Sequence, residues 1–521
     1  MPLRLNCSAA VRGDSVVINL DGESLTVTQV REVAVGKLKV QINQATKEKL
    51  KRTRQVVEKA IQSGEKIYSI NTGFGVLSKV RIEPHQLDEL QVNIIRSHCA
   101  GVGEPHSESE ARAILLLRAN CLAKGHSGVR PEVVELQCEM LNHGVTPVIP
   151  SKGSVGASGD LAPLAHLASV LIGEGEAFYQ GVRMRGGEAL RKAGLIPLRL
   201  GPKEGLSLIN GTQQMTGWGA LLVMSAEELC HISDLICTTS LDGVQGTPRA
   251  FAKWLHDTRP FAGQQESAAR MLAFSQGSEI YQNHKSCDRV QDPYSFRCAP
   301  QVHGASLDLI HFAKKQIGVE LNAATDNPLI NLETGEITSN GNFHGQPMAF
   351  ALDIMAMGIC ELGSISERRT VKLLNPFFSE LPTFLVKAEG LNSGLMMAQV
   401  TAASLVSENR LLSHPGSTES MSTNNDKEDH VSMGPLCARK AKMILENAQY
   451  ILAIEAISAC QALEFRKPLK PGKGPQFLYD FVRKQIAPLD NDRYLHTDIE
   501  WMKKMIQDGT LYQAMREARL I

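Results

Sequence analysis

GSVGASGDLAPLAH occupies residues 153–166, and its reading decides how the rest of the chain is understood. Three glycines and two serines stand within residues 153–159, and from Leu161 the pattern turns apolar. Leu161, Leu164, Ala165, Ala168, Leu171 and Ile172 recur at helical spacing and stop at Gly173. A small, mobile backbone therefore runs straight into the start of a helix. The plainest reading is a glycine turn with Asp160 as the helix cap. A phosphate loop is excluded, because neither G-x-x-x-x-G-K-[ST] nor G-x-G-x-x-G is present and no βαβ unit surrounds the stretch. The third reading is covalent. If the amide nitrogen of Gly159 attacks the carbonyl of Ala157, a five-membered ring closes, and loss of water makes it an imidazolone. Loss of water from Ser158 leaves an exocyclic methylidene. This chemistry needs glycine at the attacking position, where a Cβ would obstruct the compressed backbone. It also needs a small residue before it and a hydroxyl between. Residues 157–159 meet all three conditions, and a helix N-terminus favours negative charge developing on the ring oxygen.

Outward from this stretch, helices dominate. Ser107 and Glu110 form the pattern of a capping box before ARAILLLRANCLAK, which ends at Gly125. Two longer segments, one beginning just after Pro347 and one running from Ala438 to Phe465, are apolar around much of their circumference. They read as interior helices of a bundle or a subunit interface. Near the N-terminus, SVVINLDGESLTV places two β-rich runs around Asp21-Gly22, the signal of a hairpin. The expected class is mainly α: an N-terminal domain with a small β-hairpin, residues 1–205, and a central helical bundle with C-terminal helices, residues 206–521. The boundary rests on the prolines and glycines of GLIPLRLGPKEG, residues 194–205. Residues 282–301 and 408–434 look irregular and polar, as function-bearing loops do.

Composition narrows the partners. Lys plus Arg is 55 and Asp plus Glu is 55, so no global field favours nucleic acid or an anionic membrane. Eleven cysteines lie scattered with no C-x-x-C pair, which implies neither zinc nor a disulfide framework and fits a reduced, cytoplasmic setting. MPLRLNCSAAVRGD lacks the apolar core of a signal peptide. One long uncharged run, residues 391–407, carries Asn392, Ser393, Gln399 and Thr401 and reads as a buried helix or its approach, with no membrane span.

With these residues in view, the chain resembles the aromatic amino acid ammonia-lyases, whose methylidene-imidazolone forms autocatalytically from Ala-Ser-Gly. The resemblance covers nearly the whole chain. IYSINTGFG (67–75), GASGD (156–160), LINGTQ (208–213), QDPYSFRCAPQ (291–301), TDNPL (325–329) and NGNFHGQP (340–347) look like family motifs in family order. It implies the fumarase/aspartase-like helical architecture, a homotetramer with active sites drawn from several subunits, and no external cofactor or metal.

The resemblance also implies roles. Tyr68 would be the base that takes a β-proton, for which its ordinary pKa of about 10 must be depressed or its proton shared. Ala157, Ser158 and Gly159 would form the electrophile, with Tyr294 nearby assisting. Asn210 would hydrogen-bond the ring or the substrate. Arg297 would clamp the substrate carboxylate, which suits a planar guanidinium. Gln291 and Asn327 would complete the polar shell, and Phe343 would pack on the substrate or the ring. Taken singly, Tyr68 and His98 would read as satisfied core residues and Arg297 as a surface ion pair.

Three local features point to histidine as the substrate, with trans-urocanate and ammonia as products. NHKSCDRVQDPYS (283–295), LLSHP (411–415) and EDHVSM (428–433) resemble the histidine-directed members of the family. Glu428 is the informative residue. A carboxylate facing an imidazole accepts its N–H and favours its charged form; facing a phenyl ring it would be an unpaired charge. His98 matches a histidine near the substrate side chain in these enzymes and in tyrosine-directed ones. Lys427 stands where the family usually has Gln, and Gln346 is what phenylalanine- and tyrosine-directed relatives show. Those substrates, or an aminomutase using the same ring, are the alternative.

Overall fold

Apolar residues encircle the long C-terminal segments, and the chain folds them against one another. A computed structural model describes residues 17–63, 72–73, 75–284 and 289–521. The helices Gln213–Gly243, Ala299–Glu320, Gln346–Leu374 and Gly434–Glu464 pack side by side, with Ala262–Phe274 and Met396–Leu412 along their flanks. One connected apolar core runs from Ile18 to Met515. The Gln346–Leu374 helix is long and apolar enough to cross a membrane, but 67% of its most apolar stretch is buried against the bundle. The long segments end where helix chemistry says they should: Pro347 and Pro435 sit in the first turns of their helices, where a missing N–H costs nothing.

The N-terminal part is a helical layer with small sheets, none wider than three strands among the described residues. The capping box expected at Ser107 and Glu110 is present and opens the helix Glu108–Ala123. The expected hairpin is not formed. Val17–Asn19 pairs in parallel with Lys39–Gln41, and the second β-rich run enters the helix Val27–Ala34. The reason is local. Asp21 Oδ1 accepts the backbone N–H groups of Glu23 and Ser24, and Thr26 forms a capping box with Gln29. That reciprocal pair starts a helix where β-propensity alone would continue a strand.

The uncharged run 391–407 also departs from expectation. Its helix, Met396–Leu412, buries only Ala398, Ala402, Val406 and Asn409, one stripe along one face. Met397, Val400 and Leu411 face outward. Lack of charge here marks an exposed apolar face of the single chain, with no burial on that side. Residue 205, the expected division between domains, falls in the short helix Glu204–Ile209, just ahead of the first long helix.

Candidate active site

The loop before the Leu161–Leu171 helix is folded back on itself. Ala157 pairs with Gly159 across a single intervening residue, and Gly159 pairs with Gly211. Gly159 has φ 71°, and a Cβ there would lie 2.2 Å from the Gly211 carbonyl oxygen, so only glycine fits. The loop is tied from two sides. Asp160 N donates to Gly211 O at 2.6 Å, and Asn210 Nδ2 donates to the Ser158 carbonyl at 2.7 Å. From the other side, Met433 N donates to Val155 O at 2.9 Å and Ser432 Oγ to Gly156 O at 3.2 Å.

Asp160 does not cap its own helix. Its Oδ2 accepts Gln214 N at 2.8 Å and Met215 N at 3.1 Å, so it caps the Gln213–Gly243 helix from outside. Complete burial outweighs these two donors and pushes its pKa up to about 7. Its Oδ1 is buried with no partner among the described residues.

Ala157 and Ser158 line a cavity of about 720 Å³ together with Asn327, Phe343, Lys427 and Glu428. A second cavity of about 570 Å³ adjoins it through Ser158, Asn327 and Glu428, and adds His98 and Asn210. The fold thus brings together Ala157, Ser158, His98, Asn210, Asn327, Phe343 and Glu428 from six separate stretches of chain. Glu428 is half-buried, and its carboxylate is held by Thr423 Oγ1 at 2.7 Å and Asn424 Nδ2 at 3.3 Å. His98 Nδ1 lies 2.8 Å from the Ile94 carbonyl. A carbonyl only accepts, so Nδ1 carries the proton and Nε2 is an acceptor. Burial pushes its pKa down, which keeps the ring neutral against the nearby Glu428 charge. Asn327 Oδ1 accepts Asn340 N at 2.9 Å, fixing the amide at the cavity wall.

Lys427 lines the larger cavity, so its cation stands on the same wall as Glu428. Gln346 lines neither cavity; its Nε2 donates to the Ser417 carbonyl at 2.9 Å. Gln291, Tyr294 and Arg297 are not brought to the cavities of the single chain. Tyr294 and Arg297 begin and end a four-residue helix, and Tyr294 is 71% exposed. The Arg297 guanidinium lies 4.4 Å over the Tyr294 ring and donates to Gln291 Oε1 at 3.0 Å, so the three form one outward-facing cluster. Tyr68, and Asn71 of the same motif, lie outside the described residues. Among the described residues no three His, Cys, Asp or Glu side chains converge to hold a metal ion.

Sequence reasoning passed over several residues at this site. His344 and His430 stack with ring centroids 5.7 Å apart on the wall of the larger cavity. Behind the cavities, Arg118, Lys203 and Asp326 are fully buried. A signal for Arg118 was available: it is the one charge inside the apolar run AILLLRANCLA.

The chain is similar to known proteins over almost its full length. The aromatic amino acid lyase family matches residues 25–484. A histidine ammonia-lyase of Myxococcus xanthus is 49% identical over 501 residues, covering 96% of this chain and 99% of the relative. The crystal structure of histidine ammonia-lyase from Trypanosoma cruzi superposes with a TM-score of 0.89 at 41% identity, covering 97% of each chain. Tyrosine aminomutase from Streptomyces globisporus superposes with a TM-score of 0.91 at 39% identity, covering 96% of this chain and 99% of that one.

Proposed function

This chain belongs to the aromatic amino acid lyases, and on that premise we propose that it eliminates ammonia from L-histidine to give trans-urocanate. The observation that carries the choice of substrate is Glu428, whose fixed carboxylate lines the same cavity as Ser158. It offers an acceptor to the imidazole N–H at the distance from Ser158 that one cavity spans. The relatedness to histidine ammonia-lyases over almost the full chain supports the same choice.

A methylidene-imidazolone made from Ala157, Ser158 and Gly159 fits the residues present. The backbone already doubles back from 157 to 159, no Cβ could stand at 159, and the Ser158 carbonyl is already held by an amide. When formed, the group supplies an electrophilic carbon for the substrate amine. The rest falls to the chain. Asn210 donates to the Ser158 oxygen, where negative charge would gather. Phe343 walls the ring side, and Glu428 and neutral His98 bracket the imidazole by hydrogen bonding. Tyr68 takes the β-proton, the Cα–N bond breaks, and the new double bond joins Cα to Cβ. Arg297, with Tyr294 and Gln291, receives the substrate carboxylate from a neighbouring copy of the chain. Their outward-facing position supports this, as do the exposed apolar side chains Phe312, Met397 and Val400 on the long helices. We therefore read the working form as a homotetramer. The nine described cysteines are all unpaired, which supports a cytoplasmic location.

The test is a continuous ultraviolet assay with L-histidine, L-tyrosine and L-phenylalanine, paired with an intact-mass spectrum. The expected results are product from histidine and a mass two waters below that of the sequence. Product from tyrosine or phenylalanine instead, or a β-amino acid in place of the unsaturated acid, would overturn the substrate or the reaction.

A further inference from the structure

Arg118 interrupts an apolar helix and is nonetheless fully buried. Its Nη1 donates to the Asn210 carbonyl and to Gln213 Oε1, each at 2.8 Å. Its Nε and Nη2 are buried with no acceptor among the described residues. Lys203, also fully buried, donates to Asp326 Oδ2 at 2.8 Å, and Ser207 Oγ donates to the same oxygen at 2.9 Å. Asp326 Oδ1 accepts Asn327 N at 2.7 Å. The two cavity amides are thus both hung on one buried cluster, Asn210 by its carbonyl and Asn327 by its N–H. Gly211 closes the gap between them so tightly that a Cβ there would lie 2.5 Å from Arg118 Nη1.

Lys203 is paired with Asp326 at 2.8 Å, while Arg118 has no carboxylate partner among the described residues, so the cluster holds one more basic group than acids; burial pushes the Lys203 pKa down and the Asp326 charge opposes this. Other buried acids do not cancel the excess: Glu204, next to Lys203 in the chain, is paired with Arg130 at 2.7 Å. Glu320, bonded to Thr212 at 2.6 Å, is driven toward its neutral form by burial, as is Asp160. A buried guanidinium with two unmet donors is unfavourable for folding. Keeping it needs a reason, and Asn210 supplies one, because its other end holds the Ser158 carbonyl at 2.7 Å.

We propose that Arg118 and Lys203 are positioning residues for the Ser158 carbonyl, Arg118 by fixing Asn210 from behind and both by giving the oxygen a surplus of buried positive charge. When a nucleophile's electron pair bonds to the carbon derived from the Ser158 side chain, the displaced C=C pair moves onto that oxygen. A positive field from fixed, buried groups favours this movement and needs no reorganisation. The inference rests on residues 157–159 forming the electrophile.

The experiment uses the full-length enzyme and two readouts, steady-state kinetics and the rate at which sodium borohydride delivers hydride to the electrophile, followed by intact mass. Arg118→Met is expected to keep the two-water mass deficit while slowing borohydride addition and kcat together by roughly tenfold or more, with KM within about twofold. Arg118→Lys, which retains the charge, is expected to recover part of both rates. Lys203→Met leaves the Arg118–Asn210–Ser158 contacts in place and removes one charge, so a slower borohydride rate there marks the field, which a purely structural role would not move. Unchanged borohydride rates in Arg118→Met and Lys203→Met, with the mass deficit intact, would overturn the proposal. If Arg118→Met fails to fold, unchanged rates in Arg118→Lys and Lys203→Met overturn it equally. A wild-type mass without the deficit would instead remove the premise, and the proposal with it.

Discussion

Glu428→Gln separates substrate choice from catalysis. In the wild-type protein Thr423 Oγ1 and Asn424 Nδ2 hold the carboxylate, leaving its other lone pairs to face the cavity. A glutamine of the same shape can still accept one hydrogen bond, but without charge. A hydrogen bond to a charged group contributes about 1.5–3 kcal/mol and a neutral one about 0.5–1.5 kcal/mol. The half-exposed position favours the lower ends, so the loss is about 1–1.5 kcal/mol. That corresponds to roughly a tenfold fall in kcat/KM for histidine. Phenylalanine, which has no N–H to offer, should lose nothing or improve. The effect should also depend on pH. A carboxylate favours the imidazolium, so the wild-type advantage should widen as pH falls through the ordinary imidazole value of about 6.5. The assay is kcat/KM for histidine and phenylalanine, by ultraviolet absorbance of each product, at about pH 6 and about pH 8. An equal loss on both substrates, or a ratio that does not move with pH, would refute the reasoning.

Four other outcomes are expected. Ser158→Ala should show no water loss by mass and almost no turnover, with thermal stability within about 1 kcal/mol of wild type; full activity would end the covalent reading. Gly159→Ala places a Cβ 2.2 Å from the Gly211 carbonyl at a left-handed φ, so it should block ring closure and destabilise by at least about 2 kcal/mol in denaturant titration. Glu455→Gln breaks the buried two-point pairing with Arg369, at 2.6 and 2.8 Å. It should cost about 3–5 kcal/mol, whereas the double change Arg369→Met with Glu455→Leu should cost less; an equally unstable double variant counts against a desolvated pair. Asp160 has a folded pKa of about 7 against 3.8 unfolded. The folded state therefore binds the extra proton, and stability should fall as pH rises from about 4 to 7, by up to about 1.4 kcal/mol per pH unit. Asp160→Asn should flatten that slope in chemical denaturation, and an unchanged slope would place its cause elsewhere.

What could be read from the sequence follows the range of each interaction. The long helices were legible because their apolar pattern, capping residues and prolines act within a few residues, as at Ser107 with Glu110. The glycine at 159 was legible because ring closure states a local requirement. The Asp21–Gly22 turn was misread because a turn suits either a strand or a helix after it, and the deciding pair, Thr26 with Gln29, lay just beyond. The outward face of Met396–Leu412 was misread because uncharged residues say nothing about which side of a helix is buried. Asp160 was assigned to its own helix because capping is normally local, whereas here the donors come from Gln214 and Met215. Arg118, Lys203 and Asp326 escaped for the same reason: Lys203 and Asp326 meet only through a tertiary contact 123 positions apart.

The placement of Tyr294 and Arg297 on an outward face has a genetic consequence. If one copy's electrophile is served by another copy's guanidinium, two separately damaged chains can repair each other. Mixed assembly of Ser158→Ala and Arg297→Ala chains would contain some sites in which both contributing copies are intact at the positions that matter. About a quarter of sites would be sound under random pairing of two equally abundant chains at a two-copy site. Each variant expressed alone would have none. Heterozygous combinations would then retain activity that neither allele supplies, and the severity of a lesion would depend on which allele accompanies it.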